Sequence, residues 1–228
     1  SLTVARVVTL LGGESTGKTT LAQALCDNLR ARGLEVVLVA EHLRHWCERM
    51  GRAPRQDEQA ALAREQALQI DNAARHPQAR VVIADTSPLV IAAYSELYFN
   101  DTSLAAETME WQRDHADLSL VMGLDLPWVA DGLFRDSPAV RDATDAVLRR
   151  LLQSAGVPFQ SIYGHGPERT RQALRAIGRL LDLDLAPADP EWAAGRRAWT
   201  CEKCSDPDCE HKLFSSLVSR HTAENSPP

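Results

Sequence analysis

The strongest constraint on this chain lies near its start. An apolar, β-branched run from Val4 to Leu11 passes through Gly12-Gly13-Glu14-Ser15-Thr16-Gly17-Lys18-Thr19 into a stretch whose apolar residues fall at Leu21, Ala24, Leu25 and Leu29. The first run reads as a buried strand and the last as an amphipathic helix ending near Gly33. The loop between them has the spacing of a phosphate-binding turn. Glycines let backbone N–H groups curl around a phosphate, and the start of a helix adds partial positive charge. Lys18 can reach the β- and γ-phosphates, and the Thr19 hydroxyl can hold Mg²⁺. Gly12 to Thr19, with Thr20 beside them, are therefore the expected nucleoside-triphosphate contacts.

Four more apolar runs can join the first strand: Glu35–Ala40, Arg80–Ala84, Leu118–Leu124 and Pro158–Tyr163. Helical patterns lie between them: Asp57–Arg75 with Asp57 as N-cap, Pro88–Phe99, Leu104–His115, Pro138–Ala155 capped by Ser137, and Pro167–Leu181. Alternation of this kind demands a parallel sheet covered on both faces. The fold class expected is a three-layer α/β P-loop domain with five parallel strands over residues 1–185. A proline- and acid-rich linker and a Cys/His-rich tail follow over 186–228.

Net charge of −6 and a pI near 5.6 argue against broad nucleic-acid binding. No apolar run approaches the roughly 18 residues of a membrane span. The chain also lacks a basic-then-apolar leader, so a cytoplasmic location is the expectation. The only lysines are Lys18, Lys203 and Lys212, which makes Lys18 the sole lysine of the main domain.

Ligands of open α/β sheets gather at the carboxyl ends of the strands. Glu41 follows the second strand, where a carboxylate can take the proton of a substrate hydroxyl or simply stabilise a helix start. Asp85 ends RVVIAD, a position for handling Mg²⁺, for taking the acceptor proton in place of Glu41, or for capping the helix at Pro88. Arg44 can pair with Glu41 or with a phosphate. The segment DLPWVADGLFRDSPAVR carries Gly132, Arg135 and Arg141 and can close over the phosphates, with Arg135 stabilising transition-state charge. Trp128 serves as an anchor on the core or as a platform for a base. In IYGHGPER, Gly164 and Arg169 are candidates for the adenine side.

GGESTGKTTLA, ADTSPLVIAAYSELYF, DLPWVADGLFRD and SIYGHGPERTRQAL occur in the order seen in the NadR-like ATPase/kinase family, and the chain resembles that family over about residues 4–180. The resemblance implies a nucleoside/nucleotide-kinase-like fold with ATP and Mg²⁺ as phosphoryl donor. It also implies transfer of the γ-phosphate to the ribose 5′-hydroxyl of nicotinamide riboside. The adenylyltransferase domain and helix-turn-helix of some members have no counterpart in this sequence.

The tail holds Cys201-x2-Cys204-x4-Cys209-x-His211, three thiols and an imidazole suited to tetrahedral Zn²⁺, with His221 an alternative fourth ligand. A zinc-knuckle-like extension of this kind would be structural and could present a protein-partner surface. The alternative to a kinase is thus a regulatory ATPase whose tail contacts a partner.

Overall fold

The computed structural model describes residues 4–130 and 137–185. Five strands form one parallel sheet: β1 (Arg6–Leu11), β2 (Val36–Val39), β3 (Val81–Asp85), β4 (Leu118–Met122) and β5 (Gln160–Ile162), in the order β2-β3-β1-β4-β5. The pairing of β1 with β3 sets Leu10 opposite Asp85, and its pairing with β4 sets Leu11 opposite Val121. The chain therefore leaves β1, β2 and β3 at the carboxyl end of the sheet, after Leu11, Val39 and Asp85.

Seven α-helices surround the sheet among the described residues: α1 (Lys18–Ala31), α2 (His42–Met50), α3 (Gln59–Ala74), α4 (Pro88–Phe99), α5 (Ala105–His115), α6 (Pro138–Ser154) and α7 (Pro167–Leu181). Period-2 alternation splits the strands between two cores. Val8 and Leu10 pack with Leu21, Leu25 and Leu29 of α1 and Leu174 and Ile177 of α7. Leu11 and Val121 face Leu89, Leu148 and Leu152 on the other side. Val7 and Val82 meet Ile70 of α3 and Trp111 of α5. Full burial of each such side chain is worth about 1.5–3 kcal/mol, so the sheet is gripped from both faces. The three-layer parallel α/β domain read from the sequence is the one observed.

Two local expectations are corrected. Asp57 does not cap the third helix. A 3-10 turn over Gln56–Glu58 precedes it, and the Glu58 carboxylate reaches back to the Arg55 amide at 2.7 Å. Arg52 holds the same carboxylate through both its terminal nitrogens, so the turn is closed before Asp57 can act. Helix α2 follows Glu41 directly, which gives the helix start offered for that residue its observed range, and it buries Leu43 and Cys47. The caps at Ser137 and Pro138 are as expected, the Ser137 hydroxyl accepting from the Val140 amide at 3.2 Å. No described helix is long and apolar enough to cross a membrane.

Candidate functional site

Backbone conformation shapes the loop after β1. Ser15 and Gly17 both take positive φ, 59° and 80°, so left-handed residues alternate with right-handed ones and successive N–H groups form an anion-binding concavity. Gly17 is favoured here by its φ. A Cβ on it would lie 2.8 Å from Leu126 Cδ1, besides straining φ. A Cβ on Gly12 would meet Thr16 Oγ1 at 2.7 Å. Thr16 needs that place, because its hydroxyl donates to the Gly13 carbonyl at 2.8 Å.

Lys18 folds back over the loop, its Nζ donating to the carbonyls of Gly12 and Gly13 at 2.8 and 2.9 Å. Thr19, one residue into α1, donates its hydroxyl to Asp85 Oδ2 at 2.6 Å. The other carboxylate oxygen, Asp85 Oδ1, is buried with no hydrogen-bond partner among the described residues. A buried, unsatisfied carboxylate oxygen beside a threonine hydroxyl is a donor set suited to a hard divalent cation and its waters. Thr19 and Asp85 are thus the residues that would hold Mg²⁺. The capping alternative for Asp85 is taken by Ser87, whose hydroxyl accepts from the Leu89 amide at 3.2 Å. Between them Thr86 sits at φ 92°, a strained value for a β-branched residue.

The strand ends are fixed from below by a buried polar chain. Ser87 Oγ donates to Gln112 Oε1 at 2.7 Å, and Gln112 Nε2 donates to Thr9 Oγ1 and Ser119 Oγ, both at 2.9 Å. This ties β1, β4 and the start of α4 through one amide on α5.

A cleft of about 150 Å³ opens over the loop, lined by Glu14, Ser15, Thr16, Gly17, Lys18, Thr19, Thr20, Glu41, Arg44 and Tyr94. Glu41 and the phosphate loop therefore share one space. Glu41 is the N-cap residue of α2 but makes no capping hydrogen bond through its side chain. Its carboxylate lies 3.8 Å from the Arg44 guanidinium. The neighbouring His42 imidazole is pushed below its ordinary pKa by burial, opposed by the charge of Glu65.

Two arginines brace the loop from behind. Arg169 of α7 donates to the carbonyls of Thr16 (2.7 Å), Gly164 (2.7 Å) and Gly123 (3.0 Å) and to Asp125 Oδ1 (2.6 Å). Arg141 of α6 donates to the carbonyls of Ser15 (3.2 Å), Leu126 (2.7 Å) and Leu124 (3.3 Å). Arg169, read from sequence as an adenine-side candidate, thus has its donors engaged with protein. Gly164 turns at φ 93° beside it, its amide donating to Asp125 Oδ2. Arg141, named on sequence beside Arg135, lies against the loop together with Arg169. Tyr94 was not singled out at all. It has no local signal, since it reaches the loop only through folding. Trp128 is half-buried, and Val129 next to it donates its amide to Ser15 Oγ at 2.7 Å.

Arg135 and Gly132 lie outside the described residues, as do Cys201, Cys204, Cys209, His211 and His221. Among the described residues no group of three His, Cys, Asp or Glu side chains is placed to hold a metal.

A parallel sheet with a phosphate-cradling loop after its central strand, an ammonium over that loop and a Thr–Asp pair beside it defines a P-loop nucleotide-binding enzyme. More narrowly, the chain belongs to the AAA domain family, which matches residues 7–169. Among solved structures, a NadR protein in complex with NR is 23% identical with a TM-score of 0.66, covering 82% of this chain and 54% of that one. A NadR protein in complex with NAD and AMP-PNP is 20% identical with a TM-score of 0.64, covering 82% and 52%. The chain spans about half the length of these NadR structures, and the likeness is one of fold. No curated protein matches.

Proposed function

We propose that the protein is an ATP-dependent kinase that transfers the γ-phosphoryl group to the hydroxyl of a small nucleoside, with nicotinamide riboside as the favoured acceptor. The carrying observation is that Glu41 lines the same cleft as Lys18 and Thr19. A carboxylate placed there serves an acceptor hydroxyl. The fold shared with a NadR structure holding NR, read as nicotinamide riboside, supports the choice of acceptor.

On this reading the loop amides and Lys18 bind the β- and γ-phosphates, and Lys18 exchanges its carbonyl partners for phosphate oxygens. Mg²⁺, when bound at Thr19 and Asp85, neutralises charge on the phosphates. Glu41 orients the acceptor hydroxyl and takes its proton as the acceptor oxygen bonds to the γ-phosphorus. The bond from that phosphorus to the β-bridging oxygen breaks, and ADP leaves. Arg135 is proposed to steady the transferring group.

The test is incubation with Mg·ATP and a panel of nucleosides, reading both ADP and phosphorylated nucleoside by mass spectrometry. ADP formation that needs an acceptor and yields its 5′-phosphate supports the kinase. ADP formed at the same rate with no acceptor refutes transfer and favours the regulatory ATPase.

A further inference from the structure

Gln66 stands out as a fully buried polar residue on the apolar face of α3, between Leu62 and Ile70. Burying an amide there is costly unless both its ends are bonded. Both are. Gln66 Oε1 accepts from the His42 amide at 2.8 Å, and Gln66 Nε2 lies 3.4 Å from the Ala40 carbonyl, to which it donates.

Those two groups belong to the peptide units on either side of Glu41. The Ala40 carbonyl is part of the plane preceding the Glu41 Cα, and the His42 amide is part of the plane following it. Two planar peptides held by one rigid amide leave the φ and ψ of the intervening residue little freedom. The direction of the Glu41 Cα–Cβ bond follows from them. The bond to His42 also satisfies a first-turn N–H of α2, which the Glu41 side chain leaves uncapped.

We infer that Gln66 is a positioning residue, whose side-chain amide clamps both peptides flanking Glu41 and so aims the Glu41 carboxylate at the acceptor hydroxyl. This rests on the kinase reading of Glu41 given above. A displacement near 1 Å at a reacting group costs about 10²-fold in rate, so losing the clamp should act on kcat and leave nucleotide binding alone.

The test is a double-mutant cycle on acceptor-dependent turnover, using Gln66→Leu, Glu41→Gln and both together. Affinity for Mg·AMP-PNP and Tm are measured on each. Gln66→Leu is expected to lower kcat about 10- to 100-fold, with AMP-PNP affinity within about 2-fold, and to add less than about 2-fold in the Glu41→Gln background. Equal loss in both backgrounds overturns the inference, because it makes Gln66 a packing residue. An unchanged kcat in Gln66→Leu, with Glu41→Gln impaired, overturns the inference alone. An unchanged kcat in Glu41→Gln removes the kinase role of Glu41 and this inference with it. Gln66→Met, unbranched and of similar length, replaces Gln66→Leu if the latter does not fold. Amide exchange in the unmutated protein needs no variant. His42 should exchange at least about 10-fold more slowly than Leu43, whose first-turn amide has no acceptor among the described residues. Equal rates overturn the clamp.

Discussion

Arg169 offers the sharpest quantitative test, because one guanidinium joins four segments. Its side chain is 4% exposed, and it bonds three main-chain carbonyls and the Asp125 carboxylate. Arg169→Met keeps the aliphatic length and removes every donor. Losing one partner of a buried ion pair costs about 3–5 kcal/mol. Asp125 is 36% exposed, so water recovers part of its share and the pair belongs at the low end, about 3 kcal/mol. The buried Thr16 and Gly123 carbonyls, left without this donor, add at least about 1 kcal/mol. A total near 4 kcal/mol in a domain of this size lowers Tm by about 8–16 °C, at about 2–4 °C per kcal/mol. Arg169→Lys should recover little, because one ammonium cannot span acceptors on three chain segments. The assay is thermal unfolding by circular dichroism, with Mg·AMP-PNP affinity by calorimetry on the same samples. A Tm within about 2 °C of the unmutated protein, with affinity weakened about 10-fold or more, would refute the bracing role. Arg169 would then be a nucleotide contact, as its sequence position suggested.

Asp85→Asn keeps the shape beside Thr19 but removes the charge. Metal-dependent AMP-PNP affinity should fall about 10- to 100-fold, and metal-free binding should hold. Equal affinities with magnesium would sink the assignment. The Arg52 guanidinium and the Arg55 amide hold the Glu58 carboxyl down to about 2 from an ordinary 4.5. The folded value lies below the unfolded one, so the stabilisation is complete above about pH 4.5 and drains away as pH falls toward about 2. Arg52→Gln should therefore flatten the acid limb of a urea-midpoint profile in that window, and an unchanged limb counts against it. In the tail, Cys201, Cys204, Cys209 and His211 predict about one zinc per chain by elemental analysis of chelator-free protein, lost in Cys201→Ser. A zinc-free preparation disposes of that site.

Contiguous chemistry was legible and distributed chemistry was not. The loop from Gly12 to Thr19 declares itself because its residues act as neighbours in sequence. The helices beginning at Pro88 and Pro167 were read to their observed ends, because proline at the first turn is a strong local signal. Helix α2 showed only in the helix start offered for Glu41 and carried no stated range, being a short nine-residue element. Asp57 failed as a cap because the competing partner of the turn, Arg52, stands upstream and acts through Glu58. Gln66, Arg141 and Tyr94 do their work across the fold. Arg141 meets a loop carbonyl 126 residues away, and no spacing rule anticipates that. Arg141 left a trace only through its place in the DLPWVADGLFRDSPAVR segment.

The loop's selectivity for an anion follows from where its carbonyls go. Those of Gly12 and Gly13 take the Lys18 ammonium, that of Ser15 takes Arg141, that of Thr16 takes Arg169, and that of Gly17 takes the Leu21 amide. In a trans peptide the N–H points opposite to the carbonyl of the same plane. Drawing these carbonyls toward protein donors therefore turns the amides of Gly13, Glu14, Thr16, Gly17 and Lys18 the other way. Donors turned together at a helix start, backed by two arginines, form a concavity that suits phosphate oxygens. The arginines thus serve binding without having to touch the ligand. They hold the Ser15 and Thr16 carbonyls away from the cradle and leave the loop amides to face it.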